Sequence, residues 1–582
     1  MLGSEITKRG MDCGVPQCQL LNFIRPARKC AHITLTCSLS ERLSVTFLSL
    51  TISLSRLIMG GVTTVNGQDA SFAHLIDGRR KWYNNRRLIA LNAWIVLLLI
   101  TSSTNGYDGS MMNGLQSLPQ WENAFNNPSG GKLGLLNAIQ NIGSLAGYPF
   151  APYMSDGIGR RKTVFFGATI MCAATAIQTA SQSVGMFIGA RFLIGFGLTF
   201  AANSAPMLVT EISYPTYRAP LTSLYNSLWY SGSIIAAWTT YGTFKINSTW
   251  AWRLPSLLQG IPSILQFALV LFAPESPRWL IRKGREAEAL KTLAYYHADG
   301  NEQDPLVMYE FEEIKAAIEY DRTVASNVGW KSLIATPGNR KRMRIIVALA
   351  FFSQWSGNGL VSYYLTKVFD QIGITGSGTQ LLINGILQIW NLAWAVFAAF
   401  MVNRLGRRFL FLVSAALMTL FYMAQAICFA EYAEHGHAAA GHAVIAFIFL
   451  FYAAYDVAFT PLIVSYTVEI LPYNIRAKGF NVFNFVISVT LIFNQYVNPI
   501  ALDALSWKYY IVYVCWLAVE FVFLYFFLVE TKNRTLEETA ALFDGDDAME
   551  QIAHKAEGAH DVYEDTSLEK RSFGADNEVS TA

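Results

Sequence analysis

The sequence predicts an all-α membrane protein, with twelve transmembrane helices in two pseudo-symmetric six-helix bundles and a helical linker between them. Three observations carry this. Only 15% of the 582 residues are charged and 53% are hydrophobic, whereas a soluble domain carries about 25% charged residues. Apolar stretches near the roughly 20 residues needed to cross a bilayer recur along the chain. Lysines and arginines gather after every second stretch, as the cytoplasmic side of a membrane protein requires. The net charge of +3 is small, and no nucleic-acid partner is implied.

The first set of spans falls near 88–107, 133–153, 163–182, 186–209, 221–243 and 255–273, and the second near 345–366, 378–401, 408–430, 442–467, 479–501 and 509–529. These place a cytoplasmic N-terminal segment at 1–87, a first bundle at 88–273, a linker at 274–344, a second bundle at 345–529 and a cytoplasmic tail at 530–582. In the linker, "EFEEIKAAIEYDR" (310–322) has acidic residues ahead of basic ones and is expected to be a short surface helix. The tail is polar and mostly acidic.

Cations set the orientation. "GRRKWYNNRR" precedes span 1, and "GRRK" (159–162), Arg218, the linker, "NRLGRR" (403–408) and "IRAKG" (475–479) follow spans 2, 4, 6, 8 and 10. The opposite turns "SQSVG", "QIGITGSG" and "EYAEHGHAAAGH" hold no Lys or Arg. Both termini are therefore expected in the cytoplasm. Asn247-Ser248-Thr249 forms a glycosylation sequon in the outer turn after span 5. Residues 41–59 are moderately apolar but rich in Ser and Thr and interrupted by Arg56. A thirteenth span there would unbalance the cation pattern, so residues 1–58 are expected to be an extension upstream of Met59 that forms no span. Cys172, Cys428 and Cys515 sit singly in apolar segments and read as small core residues. The four cysteines within the first 37 residues match no zinc pattern, and no metal, cofactor or obligatory protein partner is expected.

The two halves repeat each other. Asp156-x-x-Gly159-Arg160-Arg161 after span 2 recurs as Asn403-x-x-Gly406-Arg407-Arg408 after span 8. Glu211 and Arg218 close span 4 with Pro215 between them, and Glu469 and Arg476 close span 10 with Pro472 between them. Glu275 and Arg278 follow span 6, as Glu530 follows span 12. Such duplication suits a carrier whose site lies between two halves and opens to each side in turn. No nucleophile triad, metal cluster or phosphate loop appears, so an enzyme is not expected.

Together, "DGIGRR", "GARFLIGFG" (189–197), "PESPRWL" (274–280), "NRLGRR" and "VETKNRTLEE" (529–538) resemble the sugar porter family of the major facilitator superfamily. The likeness covers residues 85–540. Within it, "GYDGSMMNGL" (106–115), "LYNSLWYSGSIIAAW" (224–238), "SQWSGNGLVSYYL" (353–365) and "FNQYVNPIAL" (493–502) look like fungal lactose permeases and cellodextrin transporters. The resemblance implies that Asp108 in span 1 and Arg191 in span 4 face each other and that Asp108 carries a coupling proton. The two read as the intramembrane charges. A nearby Arg favours the ionised carboxylate while burial favours the neutral one, so bound sugar could tip the balance; a fixed ion pair orienting spans 1 and 4 is the plainer alternative.

The resemblance also implies a sugar site of Asn226, Gln354, Asn358 and Asn391, with Trp355, Tyr363 and Tyr364 as stacking or gating surfaces. Amides read hydroxyls and rings cover C–H faces, although polar residues also join helices to one another. Asp156, Arg160, Arg161, Glu211, Arg218, Glu275, Arg278, Arg407, Arg408, Glu469, Arg476 and Glu530 are expected to form cytoplasmic latches, because a guanidinium makes two parallel bonds with a carboxylate. Where hexose carriers have paired glutamines this chain has Ser353-Gln354, their span 5 glutamine is Asn226, and a span 10 tryptophan aligns with Val464. Shorter side chains leave room. The expectation is a proton-coupled plasma-membrane importer of a sugar, and of a disaccharide such as lactose or cellobiose. A passive hexose facilitator and a non-transporting sugar sensor are the alternatives.

Overall fold

The computed structural model describes residues 83–324 and 329–532, with 539, 542 and 543 beyond them. The expected extension at 1–58 and most of the tail lie outside the described residues. Helices occupy all twelve expected positions. Spans 1 to 6 are Arg86–Leu115, Gly130–Gly147 continued by Ala151–Ile158, Arg160–Thr179, Val184–Ile212, Pro215–Thr243, and Trp250–Leu258 continued by Ile261–Leu269. Spans 7 to 12 are Pro337–Trp355 continued by Asn358–Gln371, Ser377–Leu405, Arg407–His435, Ala438–Ile470, Tyr473–Leu505 and Lys508–Phe527.

The breaks have local causes. Pro149 and Pro152 stand at the gap in span 2, and Pro262 follows the gap in span 6; none of the three offers an amide to the helix ladder. Span 7 turns at Gly357, whose φ is +91°, and a Cβ there would lie 2.5 Å from the Tyr422 ring. Only glycine is free to take that conformation in that space.

By length and apolarity, nine of the described helices are able to cross a membrane. The helices of spans 2, 3 and 5 are not among these nine and are sheltered by their neighbours: span 2 and span 3 lie against span 4, and span 5 against span 1. In lipid, helices associate through close packing of small residues rather than through the hydrophobic effect. Spans 1 and 5 cross where a Cβ on Gly106 would lie 1.8 Å from the Trp229 carbonyl oxygen, and one on Gly232 would lie 1.8 Å from that of Ser103. Spans 2 and 4 cross in the same reciprocal way, through Gly195 against Gln140 and Gly143 against Phe192.

The linker forms helices Pro277–Arg282, Glu286–His297, Pro305–Val324 and Ser332–Ala335. The expected surface helix is therefore longer than 310–322, and it is not wholly exposed. Its Glu310 is buried against His297, 2.6 Å away, with Phe311, Leu293 and Trp279 in the same small core. The end of the molecule that carries this linker is called the linker face below, and the opposite end the far face.

Spans 2, 5 and 1 of the first half meet spans 11, 8 and 7 of the second. Near the far face, Ser117 and Thr366 hydroxyls lie 2.7 Å apart, the Leu365 amide donates to Asn113, and Gln116 donates to the Tyr363 carbonyl at 2.9 Å.

Gly106→Val and Gly232→Val are expected to push spans 1 and 5 apart, at a cost of about 1–3 kcal/mol or more, and to lower the yield of folded protein sharply. Gly189→Ala, with nothing within 4 Å of its Cβ position, is expected to match the wild type. Size-exclusion profiles of detergent-extracted, fluorescently tagged protein read the difference.

Candidate functional site

Asp108 and Arg191 meet, as the resemblance implied. The Arg191 Nη1 and Nη2 atoms donate to the two Asp108 oxygens, each at 3.1 Å. Asp108 is 1% exposed and Arg191 2%. Gln259 in span 6 donates to Asp108 Oδ1 at 2.6 Å. Arg191 donates further to the Leu136 carbonyl at 2.9 Å and to Gln140 in span 2 at 3.4 Å. Spans 1, 2, 4 and 6 are thus tied through one buried charge pair. A paired and hydrogen-bonded charge is tolerated at such a depth, where a lone one is not. Gln259 and Gln140 carried no motif, and only the fold brings them here.

The aromatic candidates divide. Tyr363 lies at the junction of the halves, its ring 3.8 Å from a Cβ position on Gly109, beside Asp108. Tyr364 is fully buried, and its hydroxyl donates to the Gln495 carbonyl in span 11. Trp355 instead joins Phe493 and Trp516 inside the second half, beside a cavity of about 360 Å³ also lined by Asn494, Tyr509 and Tyr513.

Gln354 donates to Ser353 Oγ, and its carbonyl accepts from Asn494 at 2.6 Å. Asn358, first in the second segment of span 7, donates to the Ser353 carbonyl at 3.1 Å. Its Oδ1, and that of buried Asn391 in span 8, have no hydrogen-bond partner. Asn226 lies in the span 5 helix, and its side chain is outside the described residues.

The linker-face clusters repeat between the halves. The backbone amides of Arg160 and Arg161 donate to Glu275 at 3.1 and 3.2 Å; those of Arg407 and Arg408 donate to Glu530 at 2.9 and 3.0 Å. Each glutamate thereby closes the N-terminus of a helix earlier in its own half, span 3 or span 9, where free amides and the helix dipole favour an anion. Burial pushes the Glu275 carboxyl up from its ordinary range, against the pull of the Ser276 and Arg161 amides and the two guanidinium charges. Arg160 pairs with Glu211 at 3.2 Å and Asp156 at 3.1 Å, and Arg407 with Glu469 at 3.0 Å. Arg161 and Arg408 donate to the carbonyls of Ala273 and Tyr525. These pairs of Arg160 and Arg407 stay within their own halves.

Three expected members of the latches sit elsewhere. Arg278 is exposed, and Arg282, one turn on, takes its place against Asp156 at 3.3 Å. Arg218 reaches Glu310 in the linker at 3.5 Å. Arg476 donates to the Leu471 carbonyl, five residues back. The Asn403 side chain lies outside the described residues, and Asn247 is exposed in its turn.

Asp108 and Arg191 are not the only charged residues inside the spans. Asp456 in span 10 and Glu520 in span 12 are both fully buried. Asp456 accepts from Tyr230 of the first half at 2.6 Å, and Glu520 accepts from Ser356 at 3.2 Å. Each stands in an otherwise apolar run, "FYAAYDVAF" and "WLAVEFVF", and that signal was available.

Residues 94–543 match the family model described as sugar (and other) transporter. The chain belongs to that family. The high-affinity glucose transporter of Kluyveromyces lactis is 27% identical over 457 residues, covering 74% of this chain and 81% of that one. The arabinose-proton symporter of Bacillus subtilis is 27% identical over 427 residues, covering 70% and 86%. Among solved structures, the inward-open xylose transporter XylE from E. coli aligns with a TM-score of 0.65 at 22% identity, covering 78% of this chain and all of that one; this likeness is one of fold. The chain is an integral membrane transporter of the major facilitator fold.

Arg160→Ala strands Glu211, and Arg407→Ala strands Glu469. The Arg160–Glu211 side chains are 4% and 13% exposed, against 16% and 25% for Arg407–Glu469. Breaking a buried pair costs about 3–5 kcal/mol and a more exposed one less. Arg160→Ala is therefore expected to lower the thermal unfolding temperature of the purified protein more than Arg407→Ala does.

Proposed function

We propose that the protein is a proton-coupled sugar symporter that imports its substrate across the plasma membrane by alternating access. The observation that carries the coupling is the buried Asp108–Arg191 pair, set beside Tyr363 where the halves meet. Asp108 holds the proton, and Arg191 is the cation that receives the carboxylate when the proton leaves. The arabinose-proton symporter among the relatives supports coupling.

The cation pattern assigns the linker face and both termini to the cytoplasm. The far-face bonds join span 1 to span 7, while Arg160 and Arg407 each pair inside their own half. That combination fits a carrier closed outward and opening inward. Asn247, exposed in an outward turn, is then accessible to glycosylation.

The sugar is read by Asn358 and Asn391, whose Oδ1 atoms await donors, together with Gln354, Asn226 and Tyr363. Asn226 and Val464 replace longer side chains of the hexose carriers and leave room for a disaccharide. The named glucose and arabinose relatives carry smaller sugars, so substrate size rests on these two positions alone.

Labelled-sugar uptake in a transporter-null host tests the reading. Accumulation is expected to collapse with a protonophore, and cellobiose or lactose to compete better than glucose. Asp108→Asn keeps the shape but carries no exchangeable proton. It is expected to reduce accumulation to equilibration while leaving sugar exchange, at equal surface abundance. Uphill uptake by this variant, with alkalinisation of the medium, would return the pair to a structural clasp.

A further inference from the structure

Asp456 presents a problem that the Asp108 site does not. Asp108 has both oxygens held by Arg191, and all its hydrogen-bond partners belong to the first half. Asp456 is equally closed to water, but no ion pair reaches it among the described residues. Tyr230 and Thr460 both donate to Oδ1, each at 2.6 Å, while Oδ2 is buried with no hydrogen-bond partner. A carboxyl in the bilayer core is costly and marks function unless something answers it, and an orphaned buried oxygen demands an explanation.

The geometry also crosses the molecule. Tyr230 lies midway along Pro215–Thr243 in the first half, and Asp456 midway along Ala438–Ile470 in the second. Their bond bridges the halves at the middle of the membrane. Thr460 shares the second half's helix and moves with Asp456; Tyr230 does not. Any rocking of one half against the other that parts spans 5 and 10 removes Tyr230 and admits water to the carboxyl.

The surroundings leave few other titratable groups. Tyr452 and Tyr455 flank Asp456 on its own helix, Tyr363 of span 7 interacts electrostatically with both, and so does Glu520 of span 12 with Tyr455. Span 9 contributes Tyr422, edge-on to Phe451. Span 5 contributes Tyr230. Span 8 contains no acid, lysine or histidine, and its one arginine, Arg404, stands at its end. The cations of span 7 lie at its start, at 340–344, and near its end, at Lys367.

We propose that Asp456 is a second proton-carrying group of the transport cycle, gated by Tyr230 from the opposite half. With the halves together, the carboxyl is sealed and its protonation state is trapped. With spans 5 and 10 apart, water reaches Oδ2 and the proton passes between carboxyl and water, leaving carboxylate and hydronium or the reverse. This rests on the proton-symport reading above, and it makes release of the proton depend on the position of the halves.

The test uses the full-length protein in proteoliposomes, measuring sugar exchange against pH and protons moved per sugar. Asp456→Asn still accepts from Tyr230 and Thr460 but exchanges no proton. It is expected to lose one limb of the wild-type pH profile, which a merely structural acceptor would not remove. Tyr230→Phe keeps the carboxyl and loses its gate, and is expected to keep the limb but displace it. An Asp456→Asn profile and proton ratio that superimpose on the wild type overturn the proposal. If that variant does not reach the membrane, Tyr230→Phe decides, and an unmoved profile overturns it. Should wild-type accumulation survive a protonophore, the symport reading falls first. Protonophore-sensitive accumulation with a wild-type Asp456→Asn profile removes this inference alone.

Discussion

A guanidinium and a carboxylate, sealed together inside the first half, set the terms for the rest of the molecule. Neither Asp108 nor Arg191 would be tolerated in the bilayer core alone; removing one partner of such a pair costs about 3–5 kcal/mol because the other charge is left buried. Span 1 and span 4 therefore meet at one register. Gln259 and the Leu136 carbonyl take remaining hydrogen-bonding capacity of the pair and extend the constraint to spans 6 and 2. The glycine crossings at Gly106–Gly232 and Gly143–Gly195 bring the neighbouring backbones close enough for this to hold. A rigid first half follows, able to move as a body against the second.

The same logic is written twice at the linker face. Glu275 and Glu530 each seat the amides that open span 3 or span 9, and Arg160 and Arg407 each clasp the glutamate that ends span 4 or span 10. These bonds fasten helices within a half. The bonds that cross between the halves include Ser117 to Thr366, Asn113 to Leu365, Gln116 to Tyr363, Asn141 to Gln495, the Gly130 amide to Asp503, and Tyr230 to Asp456 at the centre. Charge pairs inside each half and single, separable hydrogen bonds between them are what a rocking carrier needs.

Much of this was legible in the sequence. Hydropathy and the spacing of the cations together locate the helices, because a bilayer accepts only segments that satisfy their own backbone. The duplicated motifs locate both linker-face clusters, and the resemblance names Asp108 and Arg191. Partners were less legible. Arg278 and Arg282 stand one turn apart, and only the packing of the linker helix selects Arg282 for Asp156. Trp355 packs, half-buried, against Phe493 and Trp516 of its own half, two residues before span 7 turns at Gly357. One acid in a long apolar run hardly lowers its average, which hides Asp456 and Glu520 from hydropathy, although a charge in such a run is the stronger signal.

The central claim is that transport requires the far-face contact between spans 1 and 7 to break and reform. Cysteines at Ser117 and Thr366, whose hydroxyls lie 2.7 Å apart, test it directly. Oxidation of Ser117→Cys/Thr366→Cys without sugar should form the disulfide and abolish uptake, and reduction should restore it. A fully cross-linked protein that transports sugar at the reduced protein's rate would contradict the account.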